Sequence, residues 1–114
     1  MYGVYMMNEQ TKYVKLEIFI PETHFQLLRE ALISVDAGHF GNYDSCLSYS
    51  RATGMWRSLA GASPYKGAVG EVSEEPELKV EVRIEATRLE ETLAAIRAVH
   101  PYETPAIFAI PLFA

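Results

Sequence analysis

Three histidines are the side chains of this sequence best suited to acid–base chemistry or metal binding near neutral pH. They are His24, His39 and His100. His24 falls in the first turn of a predicted helix and is most simply a solvated residue. His39 lies in "GHFGNY" and His100 in "HPYETP", two motifs that also contain glycines, tyrosines and a carboxylate. These two motifs are the candidate site.

A divalent metal is one candidate ligand of these motifs. Two imidazoles and the carboxylate of Glu103 would suit a borderline metal such as zinc or copper. The candidate metal ligands are therefore His39, His100 and Glu103, although their spacing matches no short recurrent motif such as His-Glu-x-x-His. The alternative is structural: His39 would satisfy backbone groups of a tight turn, and His100 before Pro101 would mark the end of a helix.

A small molecule is the other candidate ligand. Gly38 and Gly41 permit positive φ and a close approach of the backbone to a ligand. The predicted ligand-binding set adds one amide and three aromatic side chains to them: Gly38, Gly41, Asn42, Tyr43, Trp56 and Tyr102. The same glycines would also serve a turn without any ligand.

Catalytic arrangements are less favoured. The serines lack a Gly-x-Ser-x-Gly elbow, and "GAVGEV" lacks the lysine and the serine or threonine of a phosphate-binding loop. Cys46 falls in a predicted strand, where a small buried thiol is commoner than a nucleophile. We therefore predict no catalytic residues, and an enzyme is the less favoured class.

Composition narrows the class of protein. The 114 residues, 49% of them hydrophobic, suffice for one domain with a modest core. Fifteen acidic against ten basic residues give a net charge of -5, which disfavours nucleic-acid binding. A single cysteine excludes an internal disulfide and fits a reducing cytoplasm. No apolar stretch approaches the roughly 18 to 20 residues that cross a bilayer, so no membrane association is expected.

The order of predicted elements indicates the fold. Residues 1–13 are predicted to be a tail, and residues 14–114 a single domain. Within it, a strand ends at Pro21, and Thr23 with Gln26 has the spacing of a capping box that starts a helix ending before Gly38. Residues 43–59 are predicted to form a hairpin broken near 52–54, and residues 61–70 a loop.

The second half repeats this order. Residues 77–86 alternate between apolar and charged side chains, which predicts a strand buried on one side. Thr87 and Glu90 form a second predicted capping box, followed by a helix to Val99 and a last strand over 106–112. The order predicts an α+β fold: a ferredoxin-like antiparallel sheet with two helices on one face and an additional β-hairpin.

This fold carries two further expectations. Both helices are expected to end at the same edge of the sheet, which would bring His39 and His100 together. The uncovered face of the sheet is expected to be buried in a homo-oligomer, either a dimer or a trimer. The apolar residues available for it include aromatic side chains: Phe19, Tyr49, Trp56, Phe108 and Phe113.

Two stretches resemble a known family. "HPYETPAIFAIPL" resembles the closing motif of the CutA divalent-cation-tolerance proteins, relatives in fold of the PII signalling proteins. The wider pattern, from "KLEIFIPETHF" through "ATGMWRSLAGASPYKGAVGEV" to "HPYETPA", is similar to the YqfO-type domain of the Nif-three-like dinuclear-metal proteins, which also occurs as a free-standing small protein. The resemblance covers residues 15–112 and implies a CutA/PII-like fold and an oligomer. It does not imply the dinuclear site, whose ligands belong to the flanking domain of the larger proteins.

These observations favour a non-enzymatic, oligomeric regulatory or ligand-binding module for a divalent metal or small metabolite. One alternative is an enzyme or accessory subunit acting with a separate Nif-three-like metal hydrolase. The other is a structural interaction domain in which both motifs serve only the fold.

Overall fold

The structure is a computed structural model that describes residues 11–113. Its helices and strands, in chain order, are β1 (Tyr13–Ile20), α1 (Phe25–Ser34), β2 (Ser48–Arg57), β3 (Val72–Glu85), α2 (Leu89–Val99) and β4 (Ile107–Leu112). Residues 1–10 of the predicted tail lie outside the described residues, and Tyr13 already belongs to β1. In the described chain, neither helix is both long and apolar enough to cross a membrane.

The four strands form one antiparallel sheet in the order β2-β3-β1-β4. The two helical connections place β3 and β4 on either side of β1, as the split βαβ arrangement requires. Tyr13 pairs with Glu85 at one end of the sheet, and Ile20 pairs with Leu78 at the other. The predicted α+β, ferredoxin-like fold is confirmed.

The core lies between one face of the sheet and the two helices. The alternation in β1 buries Val14, Leu16, Ile18 and Ile20 completely, and Leu28, Leu32 and Ile96 from the helices pack on them. Each such side chain contributes about 1.5–3 kcal/mol to stability. The opposite face has no helical cover and carries ion pairs such as Lys15 to Glu81 at 2.7 Å.

The hairpin predicted within residues 43–59 is wrong. This segment forms the single strand β2, which pairs along its whole length with β3, and β3 begins at Val72, earlier than predicted. Because β1 pairs with β3 only from Leu78 onward, residues 52–57 and 72–77 project beyond β1 as a two-stranded ribbon, here called the β2–β3 ribbon. Gly54 does not break β2 because it pairs with Glu75 of β3, and the absence of its side chain makes room for the Glu77 carboxylate.

Both predicted capping boxes are also wrong. A 3-10 turn precedes each helix, at Glu22–His24 and at Ala86–Arg88, and neither N-cap side chain forms a capping hydrogen bond. The extra turn moves the helix starts to Phe25 and Leu89, so Thr23 and Thr87 lie inside the turns rather than at the caps.

Gly38 has the predicted left-handed backbone, with φ +77°, but it lies beyond Val35, the C-cap residue of α1. Its N–H donates to the Arg83 carbonyl at 2.8 Å, and its carbonyl accepts from the Cys46 N–H at 2.9 Å. A β-carbon here would overlap the Cys46 carbonyl oxygen. Gly38 therefore joins the loop after α1 to the sheet, a structural role.

Candidate functional site

The two histidine motifs lie at opposite ends of the sheet, so the expectation that they share one cleft is wrong. His39 is beside Arg83, near the end where Tyr13 pairs with Glu85. His100 bonds to the Phe19 carbonyl, near the other end of β1. The two ends are roughly 20 Å apart at 3.3 Å per residue. The helices are antiparallel, so one ends where the other begins.

The His39 ring is held between two acceptors. Nδ1 lies 3.0 Å from both carboxylate oxygens of Asp36, and Nε2 lies 2.9 Å from the Gly41 carbonyl. Both nitrogens can donate at once only when the ring is protonated. Accordingly, the pKa of His39 is raised above 6.5. The hydrogen bond to Asp36 is the larger cause, and the hydrogen bond to Gly41 is the next.

The rest of this motif builds a turn. Phe40 and Tyr43 exchange both backbone hydrogen bonds, each 2.8 Å long, across Gly41 and Asn42. Asn42 is exposed and Tyr43 is 74% exposed. A cleft of about 360 Å³ lies beside this turn, but the Arg83 guanidinium in it already donates to the His39 carbonyl and lies 3.6 Å from the centre of the Phe40 ring. The contacts of Arg83 and His39 thus hold the turn against the sheet.

His100 is buried and fully hydrogen-bonded. Its Nδ1 accepts from the Tyr102 N–H at 3.2 Å, so Nε2 carries the proton and donates to the Phe19 carbonyl at 2.7 Å. Burial is the main cause that lowers the pKa of His100 below 6.5. The neutral ring therefore joins the end of α2 to β1, and a metal ion at either nitrogen would displace one of these bonds.

A cavity of about 380 Å³ lies at the same end of the sheet as His100. It is formed by the end of β2, by the loop over residues 58–71 and by the connection between α2 and β4. Its apolar walls are Trp56, Leu59, Pro64, Tyr65 and Tyr102. Its size falls in the range of small-molecule sites. We call it the aromatic cavity.

Tyr102 is at the centre of the aromatic wall. Its ring centre lies 5.8 Å from that of Trp56 and 5.9 Å from that of Tyr65, and both pairs are tilted by 49°. The Tyr102 hydroxyl donates to the Glu77 carboxylate at 2.8 Å, and Glu77 is only 7% exposed. Burial and this hydrogen bond raise the pKa of Tyr102, so the hydroxyl stays protonated near neutral pH.

Charged groups surround the mouth of the cavity. Arg57, Lys66 and Glu103 line it. A Glu103 oxygen accepts from the Ser63 N–H at 3.0 Å, which anchors the loop, and Lys66 pairs with Glu75 at 3.2 Å. Within residues 11–113, Arg57 forms no salt bridge. Its guanidinium is thus the cation left to meet a ligand.

The predicted site residues therefore separate into two groups. Trp56, Tyr102 and Glu103 line the aromatic cavity, and His100 supports it from behind. The remaining predicted residues surround the distant turn: Gly38, His39, Gly41, Asn42 and Tyr43. Within the described residues, no three histidine, cysteine or carboxylate side chains form a cluster fit for a metal ion.

Sequence reasoning missed several residues of the cavity. Tyr65, Arg57 and Lys66 line it, and the buried Glu77 orients Tyr102. The glycine- and proline-rich stretch 61–70 was a usable signal, because binding residues lie disproportionately on loops that a rigid scaffold positions. Glu77 had no comparable signal, since it follows the carboxylates of a polar segment.

The fold is that of a small CutA-like domain. Over residues 62–114 the chain matches the family described as CutA1 divalent ion tolerance protein. The periplasmic divalent cation tolerance protein CutA of Archaeoglobus fulgidus superimposes with a TM-score of 0.66 at 17% identity, over 90% of this chain and 85% of that one. GlnK of B. subtilis gives 0.62 at 18% identity, over 90% and 86%. These two likenesses show the CutA- and PII-like fold.

Closer similarity is to part of larger proteins. The Bacillus cereus protein related to NIF3 superimposes with a TM-score of 0.80 at 31% identity, over 91% of this chain and 26% of that one. The "GTP cyclohydrolase 1 type 2 homolog" of Halalkalibacterium halodurans is 39% identical over 98 residues, 86% of this chain and 26% of its own length. The resemblance seen in the sequence is confirmed, and the chain spans about a quarter of these relatives.

Proposed function

We propose that this chain is a non-enzymatic ligand-binding module of a regulatory kind, and that the aromatic cavity is its binding site. The observation that carries the proposal is the cavity itself: apolar aromatic walls with a few charged groups at the mouth, which is the usual composition of a small-molecule site. The hydrogen bonds of Tyr102 and Glu103 hold its walls in place before any ligand arrives.

Trp56 provides the experiment, since it is the only tryptophan of the chain and lines the cavity. Its indole N–H signal in nitrogen-15 NMR spectra would be followed while a panel of metabolites, including GTP, is added. We expect a saturable shift that the Tyr65→Ala variant weakens. The matched control is Tyr43→Ala, which removes an exposed tyrosine of the distant turn and should leave the titration unchanged.

A divalent metal is the second candidate ligand, favoured by the description of the CutA1 family as divalent ion tolerance proteins. Zinc or copper would bind through His39, His100 or Glu103, which belong to one site only if the oligomer brings them together. Calorimetric titration with each metal at neutral pH tests this candidate. Unchanged heats in the His39→Ala, His100→Ala double variant would contradict these ligands.

We also propose that the protein forms a homo-oligomer, a dimer or a trimer, in the cytoplasm. The uncovered sheet face supports self-association, because Phe108 on it is 54% exposed and packs edge-on against Phe19. Sedimentation equilibrium would show the assembly, and we expect Phe108→Asp to weaken it. Tyr43→Asp is the control at another exposed aromatic residue, and a monomeric wild type would refute the proposal.

An accessory role with a separately encoded NIF3-related protein is the alternative function. It is favoured by the similarity of most of the chain to about a quarter of such proteins. Co-purification from the native host tests it: a NIF3-related partner whose activity depends on this chain would support it. If no ligand and no partner is found, the structural interaction domain becomes the better description.

A further inference from the structure

We infer that the aromatic cavity takes a planar aromatic ring that carries a single negative charge, of the aromatic carboxylate class. This inference rests on the proposed function and specifies its ligand. It follows from the shape of the aromatic wall, from the support behind that wall, and from the balance of charges at the mouth.

The wall favours a flat ligand. Tyr102 contacts both Trp56 and Tyr65, with ring centres less than 6 Å apart and ring planes tilted by 49° in each pair, so the three rings form a contiguous aromatic surface. A planar ring can pack face-on against one of these rings while a tilted neighbour meets its edge, an arrangement that aromatic pairs favour. A puckered ring would make fewer contacts with it.

The wall is also held in position. Tyr102 is held by its hydroxyl to Glu77 and by its backbone N–H to the His100 ring, which is itself bonded to β1. The loop carrying Tyr65 is anchored nearby through the Ser63 N–H and Glu103. Because these groups are already ordered, a ligand loses little of its binding energy to arranging them.

The charges at the mouth favour a single anionic group. Lys66 is neutralised by Glu75, whereas Arg57 has no salt bridge among residues 11–113. A guanidinium binds a carboxylate with two parallel hydrogen bonds. Glu103 also lines the mouth, so the one guanidinium without a salt bridge would leave most of the negative charge of a triphosphate such as GTP unbalanced.

Four probes separate these features in calorimetric titrations near neutral pH. Naphthoate has both the flat ring and the charge, naphthalenemethanol has the ring alone, cyclohexanecarboxylate has the charge alone, and GTP has a ring with a triphosphate. We expect naphthoate to bind about tenfold more tightly than either single-feature probe, because each of them loses one favourable contact. GTP should bind more weakly than naphthoate.

Arg57→Gln tests the named cation. It should weaken naphthoate about tenfold and leave naphthalenemethanol unchanged. Arg51→Gln is the matched control, because Arg51 is an exposed arginine of the same strand that pairs with Glu22 and does not line the cavity. Equal binding of naphthoate and naphthalenemethanol, or equal effects of the two arginine variants, would overturn the inference.

The Trp56 indole signal distinguishes failure of this inference from failure of the proposed function. A saturable shift with GTP or another metabolite, without naphthoate binding, overturns the aromatic carboxylate class and keeps the cavity as a site. If all probes and the metabolite panel leave the signal unchanged, both proposals are refuted.

Discussion

The hydrogen bond between Tyr102 and Glu77 offers the sharpest test of how the cavity is built. Tyr102→Phe keeps the ring in the wall and removes only the hydroxyl that donates to Glu77 at 2.8 Å. Glu77 is 7% exposed, so water replaces that donor poorly. A hydrogen bond to a charged group contributes about 1.5–3 kcal/mol, and an unsatisfied buried acceptor costs a similar amount. We expect the free energy of unfolding to fall by about 1.5–3 kcal/mol.

Thermal and urea denaturation followed by circular dichroism would measure this loss. For a domain of this size each kcal/mol corresponds to roughly 4 °C, so the midpoint should fall by about 6–12 °C. Tyr65→Phe is the matched control, because Tyr65 is 45% exposed and its hydroxyl makes no hydrogen bond within residues 11–113. That variant should change stability by less than about 0.5 kcal/mol.

Comparing the two phenylalanine variants tests whether the hydroxyl holds Tyr102 in the cavity wall. If Tyr102→Phe costs no more than Tyr65→Phe, the hydroxyl is not what holds Tyr102, and the description of a preformed wall is refuted. If Tyr102→Phe is destabilised as expected, its affinity for a ring-bearing ligand should also fall, because the ring is no longer held in its bound orientation.

Three further predictions concern the two histidine motifs. Gly38→Ala should lower the free energy of unfolding in urea denaturation by about 2–5 kcal/mol, because it combines a left-handed backbone with overlap onto Cys46. Gly41→Ala should lower it by only about 1–2 kcal/mol, because its φ is also positive but the space around it is open. Because the pKa of His100 is lowered in the folded protein, the unfolded chain binds more protons than the folded one below pH 6.5. The contribution of His100 to stability is therefore present above pH 6.5 and is lost as the pH falls through its folded-state pKa. The raised pKa of His39 has the opposite sign: its contribution is present below pH 6.5 and is lost as the pH rises through its folded-state pKa. NMR titration of the imidazole protons should place the two pKa values on opposite sides of 6.5, and His39→Gln and His100→Gln should change the slope of stability against pH in opposite directions. Two coincident titrations would contradict the contacts described for both rings.

Local pattern was enough to predict most of the fold. The alternation in β1, and in β3 from Leu78 to Ile84, identifies the buried face because side chains in a strand point alternately to its two sides. The same reasoning failed at the helix starts, where a threonine with capping-box spacing fell inside a 3-10 turn. It also failed in β2, where Thr53 and Gly54 suggested a break that pairing with β3 overrides.

In the candidate site too, some features follow from the sequence and others only from the tertiary structure. The sequence by itself determined which residues have suitable chemistry, and it identified Trp56, Tyr102 and Glu103, which line the cavity. Only the tertiary structure decided which of them meet. Antiparallel helices place His39 and His100 at opposite ends of β1, and the projecting ribbon brings Trp56 to Tyr102. Such contacts depend on strand register and on the direction of each connection, which residue types and spacing do not encode locally.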